Sequence, residues 1–194
     1  RDEFADYWAM KWSDLLRVKA EFPINLWPHA AQSYHRWIRT CLGRNVPYDA
    51  FVREMLTANG SNFRVPPVNF YRAMQNRQAA GIAQTVALTF MGSRAEKWPP
   101  QRRAGMAAFF AQVAYKSTAE WKEEIVFYDP TGPAAAEPAV FPDGTPARLA
   151  PGVDPRAVFA DWLIRADNPW FAKNIVNRIW SWLLGHGIIH EADD

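Results

Sequence analysis

The stretch NPWFAKNIVNRIWSWLLGHG, residues 168–187, has no helix breaker between Pro169 and Gly185 and is dense in tryptophan, asparagine and arginine. Asn168 before Pro169 is a helix start: a side chain that caps free N–H groups, then a ring pre-set for the first helical position. Phe171, Ile175, Ile179 and Trp182 recur at three-to-four spacing, with Val176, Trp180 and Leu183 beside them. That pattern predicts a helix whose tryptophans lie on a packing face. Asn174, Asn177, Arg178 and Ser181 occupy the remaining arc, and Gly185 and Gly187 end the helix. Two readings of that arc follow. Asn174, Asn177 and Arg178 either present a fan of donors to a ligand, or hydrogen-bond to the backbone of a neighbouring element, which is where most side-chain hydrogen bonds go.

The same start signal, Asp154 before Pro155, opens a preceding helix with Val158, Phe159, Trp162 and Leu163 on its apolar stripe. Toward the N-terminus, EFADYWAMKWSDLLRVK puts Phe4, Trp8, Trp12, Leu15 and Leu16 on one stripe. A second helix is expected over about 29–42, ending at Gly43. A third is expected in VPYDAFVREMLTANG, residues 46–60, with Phe51, Val52, Met55 and Leu56 on one face. A long helix is expected over about 69–91. After Pro99 and Pro100, RAGMAAFFAQVAYK (103–116) predicts another, with Met106, Phe109, Phe110 and Val113 inward; Ser117 and Glu120 then match a capping box. Residues 123–150 change character. EEIVFYD has strand propensity, and AVFPDGTPARL carries an Asp-Gly turn. The expectation is a mainly α, bundle-like chain with a small β ribbon near 123–150. Its organisation would be a first helical domain over 1–128, a ribbon and linker over 129–153, and the start of a second helical domain over 154–194.

Composition narrows function by exclusion. With 194 residues, 49% of them hydrophobic, the chain is long enough for a substantial core. No run reaches the ~18 to 20 apolar residues of a membrane span. Residues 1–70 carry nine Lys/Arg and seven Asp/Glu, residues 71–116 seven and one, and residues 117–194 six and twelve. Opposed blocks of charge point to complementarity within the chain rather than to a nucleic-acid partner, which would need an uncompensated basic face. The single cysteine, Cys41, lies at helical spacing with Tyr34, Trp37 and Ile38 and reads as a buried structural thiol. The chain begins at Arg1 rather than Met, and both ends look cut from a longer polypeptide.

Candidate chemistry is sparse. Glu120, Glu123 and Glu124 cluster beside Trp121 and are the residues a polysaccharide hydrolase would use as acid and base; capping and solvated-face roles account for the same residues. His186 and His190, four apart near Glu191, are the candidate metal ligands, but they follow helix-breaking glycines and no H-E-x-x-H occurs, so no metal is expected. No nucleophile elbow, P-loop or dinucleotide fingerprint is present. Most of the ten tryptophans fall on apolar stripes. Trp27 and Trp98, beside prolines in loops, are the two expected to serve as exposed anchors for a sugar or a partner protein.

WAMKWSDLLRVK, YHRWIRTCLGRNVPYDAFVREML, MAAFFAQV and the segment from Arg156 to Asp194 resemble paired domains of unknown function, numbered fifteen forty-nine and fifteen fifty-three, of large planctomycete and verrucomicrobial proteins. Its most specific part is N-P-x-F-A-x-x-x-x-N-R-x-W, here Asn168 to Trp180. The resemblance implies an exported, multidomain, mainly helical protein accompanied by a planctomycete-type cytochrome c domain, and carries no established activity. Many members have a C-x-x-C-H haem-attachment segment after the Gly-x-Arg that is Gly92-Ser93-Arg94 here; this chain continues Ala95-Glu96-Lys97-Trp98, so no cofactor is expected there. The leading expectation is a non-catalytic module of a periplasmic or cell-surface protein. It would bind a glycan or dock neighbouring domains, including a cytochrome c domain. The alternatives are a hydrolase using the clustered glutamates and a haem-free accessory to electron transfer.

Overall fold

The structure, a computed structural model, describes residues 2–189. Among them are eight α-helices and one three-stranded antiparallel sheet, the mainly α chain with a small β element that the sequence predicts. Close contacts divide the chain into two compact units that interleave in sequence: residues 1–77 with 112–133, and residues 78–111 with 134–194. Division by composition and kinship, at 128 and 154, and division by contact do not coincide.

The first unit is built on α1 (Asp2–Leu15), α2 (Pro28–Gly43) and α3 (Tyr48–Thr57). In α1 the buried residues are Ala5, Ala9 and Trp12, followed just past its end by Leu16, while Phe4 is exposed and Trp8 half-buried. The packing stripe is therefore offset from the one that the large side chains mark. Small Ala5 and Ala9 let the helices approach closely; Ala5 sits 3.7 Å from where a Cβ on Gly43 would stand. Trp12 meets Phe51 edge-on at 5.5 Å, and Phe51 stacks on Trp37 at 4.7 Å. Arg39 bonds Asp6 across α1 and α2. Cys41 is buried, and burial, reinforced by Glu54, pushes its thiol up to about 11; it is an unreactive core group.

Two expected helices break up. The predicted 69–91 helix is a short α4 (Asn69–Arg72), entered from a 3₁₀ turn over Pro66–Val68, then an irregular stretch, and then α5 (Ala79–Met91). The break falls where Arg77 leaves the helical path to pair with Glu124, and it coincides with the boundary between the units. Residues 113–117, expected to continue a helix, form β2 (Val113–Ser117), which pairs antiparallel with β3 (Glu124–Tyr128). The two-residue β1 (Gly60–Ser61) joins the other edge of β3, in the order β1-β3-β2. Val113 and Tyr115 favour a strand, and Ala114 is carried into it by pairing with Phe127 of β3, which starts seven residues past Ser117. Ser117 therefore caps no helix. Thr118 does the local bonding instead, accepting from the Glu120 N–H inside the β2–β3 turn.

The second unit comprises α5, α6 (Pro100–Ala107), α7 (Pro155–Leu163) and α8 (Phe171–Leu184). Its centre is aromatic: Phe159, fully buried, meets Phe109 and Phe110 at 5.3 Å, and Phe141 stacks on Trp162 at 5.0 Å. The Asp-Gly segment makes a tight turn closed by the Phe141 N–H to Thr145 carbonyl bond, with a single bridge pairing Val140 and Pro146. The turn leans on α6 at Gly105, whose carbonyl accepts from the Val140 N–H; a Cβ there would lie 2.8 Å from the Val140 side chain. Asp154 caps α7 as expected, accepting from the Arg156 N–H. Asn168 caps α8, but from three residues before its first turn, accepting from the Trp170 and Phe171 N–H groups.

Helix α8 reverses the expected polarity. Phe171 is buried together with Asn174, Asn177 and Arg178, whereas Val176, Ile179, Trp180, Leu183 and Leu184 are exposed, Leu183 at 64%. The tryptophans of the opening stretch do not form a core face. Across the whole chain, Trp12 and Trp162 are the buried ones; the other eight are half-buried or exposed.

Candidate functional site

Three elements of the first unit converge on a polar cleft of about 370 Å³: the loop Pro23 to Trp27, the segment Arg72 to Arg77, and the β2–β3 turn with Lys122, Glu123 and Glu124. Sequence reasoning places Trp27, Glu123 and Glu124 among the candidates, and all three line this cleft.

The floor is a buried polar network. Asn62, with no exposed surface, donates to the Lys122 carbonyl at 3.1 Å and accepts from the Glu124 N–H at 3.0 Å, tying β1 to the turn. Asn69, equally buried, donates to the carbonyls of Asn62 and Pro66 and accepts from Arg72. Arg72, 5% exposed, reaches the Glu124 carboxylate at 2.8 Å. Burial draws the Arg72 guanidinium below its ordinary value, and the bond to Glu124 works against that shift. Arg77 takes both oxygens of Glu124, at 3.0 and 3.1 Å, and lies over the Tyr115 ring at 4.9 Å. Glu124 thus neutralises two guanidinium groups, in line with charge complementarity inside the chain.

Glu123 and Glu120 are engaged as well. Glu123 accepts from the Ser61 and Thr118 hydroxyls at 2.5 and 2.7 Å, and those two bonds hold its carboxyl below the usual carboxylate range. Glu120 faces Arg64 at 3.5 Å on the surface. A glycosidase needs one carboxyl kept protonated near neutral pH. The surroundings of Glu123 do the opposite.

The rim is aromatic and cationic. Trp121, 75% exposed, meets the half-buried Trp27 at 5.7 Å, and the Lys122 ammonium lies over both rings, 4.3 Å from Trp27 and 5.4 Å from Trp121. Asn25, Trp27 and Lys122 all have positive φ, at 57°, 67° and 62°. Left-handed backbone at three non-glycine residues costs energy and gathers where side chains are held for a purpose. Arg72, Arg77, Trp121 and Lys122 escape the sequence reading. The available signal was Asn62, Asn69 and Arg72 embedded among apolar residues in SNFRVPPVNFYR, a pattern of buried polar groups that need partners.

The remaining candidates belong to the second unit or lie beyond the described residues. Trp98 is half-buried, with Arg102 over its ring at 4.1 Å. Asn174 donates to the Thr89 carbonyl at 2.9 Å, locking α8 to α5, and Asn177 exchanges two bonds with the backbone of Ile189. Arg178 is buried beside them. His186 is exposed, and His190 lies outside the described residues. Among the described residues no three His, Cys, Asp or Glu side chains are grouped as a metal site requires. No described helix is long and apolar enough to cross a membrane.

A mainly α chain with a small antiparallel sheet defines a helical module. The family description PSCyt2, protein of unknown function (DUF1549), matches residues 1–114, and PSD1, protein of unknown function (DUF1553), matches residues 155–194. The chain belongs to the PSCyt2 family and carries the PSD1 match beside it: these are the paired planctomycete cytochrome-associated domains of unknown function. No curated protein and no solved structure matches it.

Proposed function

We propose that the chain is a non-catalytic module of an exported multidomain protein, and that the cleft of its first unit binds a glycan. The observation that carries this reading is the Trp27–Trp121 pair on the rim of a polar cleft. Indole faces stack on the C–H faces of sugar rings, while Arg77, Gln75 and Asn25 supply hydrogen-bond partners for hydroxyls. The paired state of Glu120, Glu123 and Glu124 favours binding over hydrolysis. Export to the periplasm or cell surface is part of this proposal and rests on family resemblance only. Association with a cytochrome c domain of the same polypeptide is the setting that kinship supplies, with no haem ligand assigned to this chain.

The test is isothermal titration of the whole chain with a panel of neutral oligosaccharides, repeated with Trp121→Ala. Binding to at least one sugar, weakened tenfold or more by Trp121→Ala with an unchanged circular dichroism spectrum, is the expected result. Binding unaffected by that substitution refutes the cleft as the site. Sugar hydrolysis abolished by Glu123→Gln refutes the non-catalytic reading in favour of a hydrolase.

A further inference from the structure

The second unit has an open groove of about 750 Å³, lined by Phe141, Pro142 and Asp143 of the Asp-Gly turn, by Gln101 and Arg102 of α6, and by Trp170 before α8. Two of its walls carry opposite and complementary demands. Arg102 lies over Trp98 at 4.1 Å and within 5.7 Å of Trp170, and its Nε is enclosed without a hydrogen-bond partner. Stacking occupies the faces of a guanidinium, and with Nε enclosed it is the terminal N–H groups at the groove that are left for an acceptor. No carboxylate of the described residues pairs with it, whereas Arg39, Arg72, Arg77, Arg156 and Arg165 each have one.

Asp143 makes the opposite demand. Its oxygens accept from the Thr145 N–H at 2.8 Å and the Trp162 indole N–H at 3.0 Å, which fixes the carboxylate and leaves further lone pairs. Partial burial pushes its carboxyl up, but the bonds from Thr145 and Trp162 outweigh that and hold it below the usual range. It is ionised at neutral pH and keeps lone-pair capacity for a further donor beside those from Thr145 and Trp162. The groove is also aromatic: Phe141 is sandwiched between Trp162 at 5.0 Å and Phe109 at 4.9 Å, so the ring left to meet a ligand is the half-buried Trp170, 6.0 Å from Trp162.

A ligand that satisfies all three features needs an anionic group for Arg102, hydroxyl donors for Asp143 and a flat C–H face for the Trp170 ring. We propose that this groove binds an acidic saccharide, a sugar ring bearing a carboxylate, with Arg102 holding the acid group and Asp143 taking hydroxyls. A neutral sugar leaves the guanidinium edge unanswered, and an acidic peptide lacks the hydroxyls. The inference does not rest on the reading of the first unit's cleft.

The test is titration of the whole chain at low salt with trigalacturonate, with galactotriose as its neutral counterpart and oligoglutamate as an acidic peptide. Trigalacturonate should bind at least tenfold more tightly than either of the others. Arg102→Gln should weaken it tenfold or more, Arg102→Lys by less because charge survives without the fork, and Trp121→Ala should leave it unchanged. Arg102→Gln also gives up the stacking on Trp98 and Trp170, so its far-UV circular dichroism is matched to the parent chain before titration, and partial rescue by Arg102→Lys separates lost binding from lost fold. Absence of trigalacturonate binding, equal binding of galactotriose or oligoglutamate, insensitivity to Arg102→Gln, or loss on Trp121→Ala would each overturn the proposal. The last outcome would move the acidic sugar to the other cleft, and failure of that cleft's own neutral-sugar test leaves this one standing.

Discussion

Glu124→Gln removes the counter-charge of a guanidinium that is 5% exposed while keeping the size of the side chain. Taking one partner from a buried ion pair costs about 3–5 kcal/mol, because the other charge is left desolvated and unmatched. Glu124 is itself 19% exposed, so some water reaches the pair and the lower end applies. The second partner adds little: Arg77 is 36% exposed and can turn to solvent, as surface pairs contribute only about 0–1 kcal/mol. The expected loss is therefore about 3 kcal/mol. In urea, with a slope of about 2–3 kcal/mol per molar, the midpoint should fall by roughly 1–1.5 M. The double variant Arg72→Met with Glu124→Gln removes the orphaned charge and should recover part of the loss. It should not recover all, since Arg72 also bonds Asn69 and the Leu26 carbonyl. A midpoint shift worth under about 1 kcal/mol for Glu124→Gln, or a double variant equal to the sum of the singles, would refute the view that Arg72 is a buried cation dependent on Glu124.

Phe159→Ala, at the contact of three aromatic rings in the second unit, should cost about 3–5 kcal/mol in denaturant unfolding. Gly105→Ala drives a Cβ to 2.8 Å from Val140 and should destabilise by about 1–3 kcal/mol, read as a lower thermal midpoint. The Glu123 carboxyl, depressed first by Ser61 and then by Thr118, contributes stability above its unfolded pKa of about 4.3, and that contribution is lost as the pH falls through and below this value. Ser61→Ala should flatten that acid limb of the stability profile, and an unchanged limb would exclude the bond as its source. In α8 the ranking should invert normal expectation: Asn174→Ala should cost about 1–3 kcal/mol by orphaning the Thr89 carbonyl, and Leu183→Ala under about 0.5 kcal/mol. Equal or reversed costs would contradict the orientation of the helix.

That last comparison locates the limit of what the sequence could tell. Helix existence was legible wherever a cap and a periodic stripe agreed, as with Asp154 and α7, because those signals are local. It failed at 73–78 and 113–117, where the deciding partner lies far along the chain: Arg77 is held by Glu124, and β2 exists because β3 is there to pair with. Which face of a helix is buried proved a separate question from whether the helix exists. A hydrophobic stripe specifies the inward face only if the neighbour presents apolar surface, and α5 instead presents the Thr89 carbonyl near its end, close to the left-handed Gly92, where a Cβ would lie 2.7 Å from Asn174 Oδ1. Asn174 fits that corner and an aliphatic side chain would leave the carbonyl unsatisfied, so the polar arc turns in and Val176, Leu183 and Leu184 turn out. The candidate site divides in the same way. Trp27 and the glutamates were legible as residue types, but the bonds of Glu123 to Ser61 and of Glu124 to Arg72 and Arg77 span 47 to 62 residues of sequence. Arg102, stacked on Trp98 and Trp170 with no carboxylate partner among the described residues, and Trp121, exposed beside Trp27, are the groups from which recognition would start on the proposed readings.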